Sequence, residues 1–410
     1  MFKNLDFINH KLKLNKSIYF QILFSLVLSL IIFFLSLDEN IWPNFWGSLK
    51  IPPNVVPFSD FRAHLLFLNC EAMGIDVNFQ ECVLIPDGNA KINTHPKIWI
   101  YLFDILNLQN TLIYNFSILF LLTLYFYIIC KLFEKFNTTS SKVVLFVLLL
   151  STSNLILIER LATDLIIFIL VFITLNLRNK ILQALFIFIG FILKYFPIFV
   201  ASIFIEKKKF LFSFIVIVIV VSYFFYLREF SLTNQNMVEM ALPIAYGSRT
   251  MLKAFYHLSI EYNFFLNDTN INYYRNLVIL FSLLYTLFLI LLGYVIENKK
   301  NTRLPFEKYF LAGASIYIGT FIIGANADYR LIFLILTIPY IMSLEDKKIK
   351  YLLILSYFFS FNSFYFLSGP LLSTFFFAKA AFIFSCKVLI LSLLSFLIGS
   401  QIKKIEFFRF

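Results

Sequence analysis

Across 410 residues the chain is 60% hydrophobic and only 14% charged, with a mean hydropathy of +0.84 and 55 phenylalanines. Soluble domains run near ~45–50% apolar and ~25% charged, so a soluble enzyme, a nucleic-acid-binding domain and a disordered chain are excluded. The formal net charge of +12 is read as membrane topology rather than as affinity for nucleic acid.

The first apolar run, 17–37, follows Lys3, Lys11, Lys13 and Lys16 and has no small-residue cleavage site after it. It reads as an uncleaved anchor with the N-terminus in the cytoplasm. Further runs lie at 112–133, 142–158, 164–178, 210–227, 276–296, 309–324, 330–344, 351–367 and 380–402. Their lengths suit a bilayer core of about 30 Å. They predict an all-α, polytopic integral membrane protein of about ten spans, one domain over 1–410. The stretch 182–205 departs from the pattern. Arg178 and Lys180 precede it, Lys207, Lys208 and Lys209 follow it, and Pro197 lies inside it. With both ends on one side it predicts a re-entrant hairpin, a single tilted span being the alternative.

This topology separates the two basic residue types. Of 26 lysines, 19 fall on the cytoplasmic side, five outside, and Lys194 and Lys387 at membrane depth. Six of nine arginines fall outside: Arg62, Arg160, Arg228, Arg249, Arg275 and Arg330. Guanidinium grips phosphate bidentately, so external arginines suggest an anionic ligand; snorkelling, or pairing with acids such as Glu159 and Glu229, accounts for them equally one by one. The external segments are 38–111 and 228–275, with amphipathic pieces at 61–72, 97–108 and 248–260 that suit a membrane surface.

Chemistry concentrates in a few places. In FSDFRAH, Asp60 is flanked by Arg62 and His64, which suits a base or a hydroxyl-binding carboxylate as well as a solvated loop acid. Cys70 and Cys82 share the first external segment and make a reasonable disulfide, whereas Cys130 and Cys386 lie within spans. The motif ERLATD sets Glu159, Arg160 and Asp164 at an outer junction, where Asp164 is either functional or a helix N-cap. Lys194, in ILKYFP, is an ammonium in an apolar stretch and needs an anion or water. ANADYRLIF brings Asn326, Asp328, Tyr329 and Arg330 to another outer edge, where Asp328 and Arg330 could satisfy each other. Lys387 has no evident partner. Cysteine and histidine spacings offer no metal motif, no P-loop or GxGxxG occurs, and no cofactor is expected.

The chain resembles the GT-C superfamily of polyprenyl-phosphate-sugar-dependent glycosyltransferases, and within it the mannosyltransferase-like glycosyltransferase 87 family. The likeness rests on FSDFRAH after the first span, ERLATDLIIFILVFITL, LQALFIFIGFILKYFPIFVASIF and DYRLIFLILTIP. It implies a plasma (inner) membrane hexosyltransferase with its active site on the extracytoplasmic side. A hexose would pass with inversion from a polyprenyl-phosphate donor to a lipid or glycan acceptor. The resemblance makes Asp60 the general base and Arg160, Lys194 and Arg330 the donor-phosphate residues. Phe61 follows Asp60 where many members carry a second acid. A transporter or flippase for a lipid-linked or anionic solute, and an O-antigen-type polymerase or ligase, are the competing readings.

Overall fold

A computed structural model describes residues 2–54, 56–77, 80, 82, 95–136, 138–225, 245–248, 250, 271–297, 306–324, 326–367 and 374–404. Helix α1 (Phe2–Leu35) carries the first apolar run. Three short helices then occupy the first segment expected outside: α2 (Ile41–Ser48), α3 (Ser59–Ala72) and α4 (Ile98–Ile105). The last two coincide with the amphipathic pieces at 61–72 and 97–108; most of 248–260 lies outside the described residues.

These helices have an aromatic core of their own. Trp42 packs edge-on against Trp46 and Phe58, with centroids 5.4 and 5.0 Å away, and Phe61 of α3 meets Phe103 of α4 at 4.8 Å. Cys70 and Cys82 are joined by a disulfide. Lys97 bridges Glu71 at 2.9 Å and Asp76 at 3.1 Å, tying the start of α4 to the end of α3. The unit is fastened to the bundle through Glu159, whose carbonyl accepts from the Phe58 N–H at 3.2 Å and whose carboxylate accepts from the Asn54 N–H at 3.0 Å.

The bundle continues with α5 (Thr111–Lys135), α6 (Thr139–Leu149), α7 (Thr152–Arg160), α8 (Thr163–Asn176) and α9 (Lys180–Leu193). A 3₁₀ segment, Phe196–Phe204, and α10 (Lys208–Phe225) follow. Strand β1 (Ala245–Tyr246) pairs antiparallel with β2 (Asn326–Ala327), and between them lie α11 (Ile271–Ile296) and α12 (Glu307–Ile323). A second 3₁₀ segment, Asp328–Thr337, leads into α13 (Ile338–Met342), α14 (Lys347–Phe361), α15 (Ser363–Leu367) and α16 (Thr374–Lys404).

Helix α12 is the axis of the bundle and is buried nearly all round, as a helix apolar on every face must be. Its glycines admit both 3₁₀ segments. A Cβ on Gly319 would strike the Phe199 ring, and one on Gly313 would sit 2.6 Å from the Phe333 carbonyl. Small residues also set the α11–α16 contact, where a Cβ on Gly293 or Gly399 would collide with the facing carbonyl of Phe396 or Ile290. Close backbone approach through glycine is how helices associate where lipid removes the hydrophobic drive.

The all-α class holds, but the ten apolar runs do not form ten spanning helices. Among the described residues four helices are long and apolar enough to cross a membrane: Ser17–Leu35, Thr111–Lys135, Asn276–Ile296 and Ala378–Lys403. A fifth is obtained if α6 and α7, bent by 54° at their junction, count as one span. Among the other runs, 309–324 is the continuous α12 of 17 residues and 210–225 lies in the continuous α10, while others are short or break. At 1.5 Å per residue α8 covers about 21 Å, the run 330–344 is 3₁₀ as far as Thr337, and 351–367 divides at Asn362. Within 182–205, α9 stops at Leu193 and the Gly190 position abuts the Pro197 ring, so the 3₁₀ segment folds back on α9 with Lys194 at the turn.

Candidate functional site

The chain turns sharply between α7 and α8, with Leu161 in the left-handed region (φ 46°). This corner sets Thr163 and Asp164 in the first turn of α8, where unpaired amides and the helix dipole favour an anion. Ala162 occupies the N-cap, so Asp164 is not the cap that its position before an apolar run suggests. Its carboxylate is instead shared by two cations. Arg330 Nε donates to Oδ1 at 2.8 Å and Lys194 Nζ donates to Oδ2.

Each cation has a further neutral anchor. Lys194, in extended conformation at the C-cap of α9, also donates to Thr163 Oγ1 at 2.7 Å. Arg330 donates through Nη1 to Asn326 Oδ1 and lies 5.1 Å over the Phe196 ring. Asn326 is fixed in turn: its amide donates to the Thr320 carbonyl at 2.6 Å, and its oxygen accepts from Tyr195 Oη at 3.3 Å. All three ionic side chains are buried, and two cations around one carboxylate leave an excess of one positive charge.

The external helices close over this cluster. Trp99 Nε1 donates to the Leu193 carbonyl at 3.0 Å, pinning α4 to the end of α9 beside Lys194. His64, fully buried on α3, stacks on Trp99 at 5.3 Å and meets His95 at 5.0 Å, and neither of its ring nitrogens has a hydrogen-bond partner. Asp60, one turn earlier and partly buried, lies within electrostatic range of Lys194, Glu159 and Tyr329. Arg160 belongs to the same neighbourhood, its Nε 3.7 Å from Glu159 Oε2 and its charge felt at Tyr329. Arg62 is exposed and acts on Tyr114. Among the described residues no group of three or more His, Cys, Asp or Glu could share a metal ion. Arg228, Arg249 and the side chain of Arg275 lie outside the described residues.

Burial first, and then the charge of Lys194, hold the His64 imidazole at about 3, far below its usual 6.5. The sign follows from proton linkage. Below pH 6.5 the unfolded chain takes up a proton that the folded chain refuses, so stability falls as pH drops from about 6.5 towards 3. At pH 5 this one group costs about 2 kcal/mol. The melting temperature in detergent should therefore drop further between pH 7.5 and pH 5 for the wild type than for His64→Phe; equal drops would refute the assignment.

The ANADYRLIF motif divides between two ion pairs. Asp328 does not pair with Arg330; its carboxylate accepts from Lys387 Nζ at 2.7 Å to both oxygens and from Ser363 Oγ. Lys387 also donates to the Ala245 carbonyl of β1 at 3.0 Å. In a helix of three residues per turn, positions two apart point about 120° from each other, which sends Asp328 and Arg330 to different partners. Lys194 likewise finds its anion inside the protein. Thr163, Tyr195, His95 and Trp99 were not singled out from sequence; only the requirement that Lys194 meet an acid pointed towards this corner.

No family model, curated protein or solved structure matches this chain. Fold and cluster define an all-α chain with, among the described residues, four or five helices able to cross a membrane and a buried ionic centre near a folded, disulfide-bearing segment.

Proposed function

We propose that the chain is a plasma-membrane glycosyltransferase of GT-C type, moving a mannose-like hexose from a polyprenyl-phosphate donor to a lipid or glycan acceptor on the extracytoplasmic side. The observation that carries this reading is the Asp164–Lys194–Arg330 cluster, with one positive charge in excess, beneath the helix that bears Asp60. Asp60 takes the proton of the acceptor hydroxyl as its oxygen bonds to the anomeric carbon. The bond from that carbon to the phosphate oxygen breaks, and the charge gathering on the leaving phosphate is met by Arg330 and Lys194, with Arg160 nearby. Preorganised cations in a dry site are worth most where charge develops. Against a transporter or flippase, Lys387, which would line a pathway, is held by Asp328 and by the Ala245 carbonyl.

The test is donor dependence in membranes supplied with a polyprenyl-phosphate hexose. Arg330→Lys keeps the charge beside Asp164 but loses the guanidinium fork. Its donor dependence should weaken by about 1–2 kcal/mol, the scale of a charged hydrogen bond. Unchanged donor dependence in both Arg330→Lys and Lys194→Met would remove the proposal, and donor uptake into sealed vesicles without sugar transfer would favour the transporter.

A further inference from the structure

Helix α8 carries Asp164 in its first turn and Asn176 at its last residue, twelve residues or about 18 Å away. At that far end lies an open cleft of about 610 Å³, lined by Lys135, Asn176, Arg178, Phe306, Lys308 and Tyr309 together with Glu307. The volume falls within the usual span of small-molecule sites, about 300–1,000 Å³. Three cations face one acid there, an excess of two positive charges.

The cations are held by neutral groups. Lys135 Nζ donates to Asn176 Oδ1 at 2.6 Å and to Tyr309 Oη, and Tyr309 Oη donates to Asn176 Oδ1 at 2.9 Å. Lys308 Nζ donates to the Leu175 carbonyl. Both ammonium groups lie against one aromatic ring, 4.5 and 5.6 Å from the Tyr309 centroid, and Lys135 feels the charge of Lys308. Capping the end of α8 accounts for Lys308. It does not account for Lys135, half-buried, whose acceptors among the described residues are Asn176 and Tyr309, or for exposed Arg178 on the same cleft.

Like charges crowded into a partly buried cleft repel one another until an anion enters. We infer that this cleft binds a phosphate-bearing anion, the Lys135 and Lys308 ammonium groups and the Arg178 guanidinium gripping its oxygens. Further lysines stand at the ends of α5, α6, α9 and α10: Lys131, Lys142, Lys180 and Lys207–Lys209, a charge pattern suited to anionic headgroups. The same chemistry is offered by a phospholipid headgroup and by a soluble phosphate.

The experiment follows the melting temperature of the purified full chain in detergent as phosphatidylglycerol, phosphatidylcholine or inorganic phosphate is added. Phosphatidylglycerol, inorganic phosphate or both should raise it by several degrees and phosphatidylcholine should not. A rise with phosphatidylglycerol alone identifies a headgroup site, and a rise with inorganic phosphate a site open to soluble phosphates. Lys135→Met keeps the apolar stem, and Arg178→Gln alters an exposed side chain; each should weaken apparent affinity roughly tenfold, the scale of a charged hydrogen bond. The inference is overturned if no phosphate probe raises the melting temperature, or if the rise is undiminished in both variants.

Discussion

Asp164→Asn should cost the protein about 3–5 kcal/mol, the usual penalty for stripping one partner from a buried ionic group. The change is isosteric, so packing survives and only the charge is lost. Lys194 and Arg330, both buried, would then share the amide oxygen, Thr163 and Asn326 as acceptors, with no counter-charge between them. Native proteins hold only about 5–15 kcal/mol in reserve, so yield and melting temperature in detergent should both fall sharply. Adding Lys194→Met removes one of the stranded cations, and the double variant should be more stable than Asp164→Asn alone. An Asp164→Asn protein as stable as the wild type would show that Asp164 is not the counter-ion of this cluster.

Asp60→Asn should leave the fold intact and lower turnover by about 10²–10⁴, the range of general-base assistance. Of the nearby external acids, Glu71 and Asp76 pair with Lys97. Asp328, the principal rival, is bound to Lys387 and Ser363, on a different face of its 3₁₀ segment from Arg330. Asp60 acts through its charge on Lys194. The measurement compares single-turnover sugar transfer with donor binding in the same membranes. Donor binding should persist; full transfer by Asp60→Asn, with Asp328→Asn inactive, would move the base to the later motif.

The elements that sequence predicts well are those whose signals are local. Helices α3 and α4 follow from amphipathic spacing at 61–72 and 97–108, and an interruption within 182–205 from cations on both flanks and Pro197 inside an apolar run. What failed was the inference from apolar length to spanning. A helix buried on all sides by protein and one facing lipid carry the same composition, so α8 and α12 read as spans although they are short and enclosed. The partners of the buried charges were beyond reach for another reason. Asp164 and Arg330 lie 166 residues apart, and Asp328 and Lys387 lie 59 apart. Local spacing could say that each charge needed a partner, and only the packed bundle could say which.

The pairing of Asp328 with Lys387 also sets a clock. At 5–20 residues per second, synthesis reaches Lys387 roughly 3–12 s after Asp328, and through that interval the carboxylate has no ammonium to meet. The same amine secures the Ala245 carbonyl, so β1, made far earlier, waits on it too. The strand pair and the 3₁₀ segment bearing Asp328 and Arg330 thus gain one of their anchors only with α16.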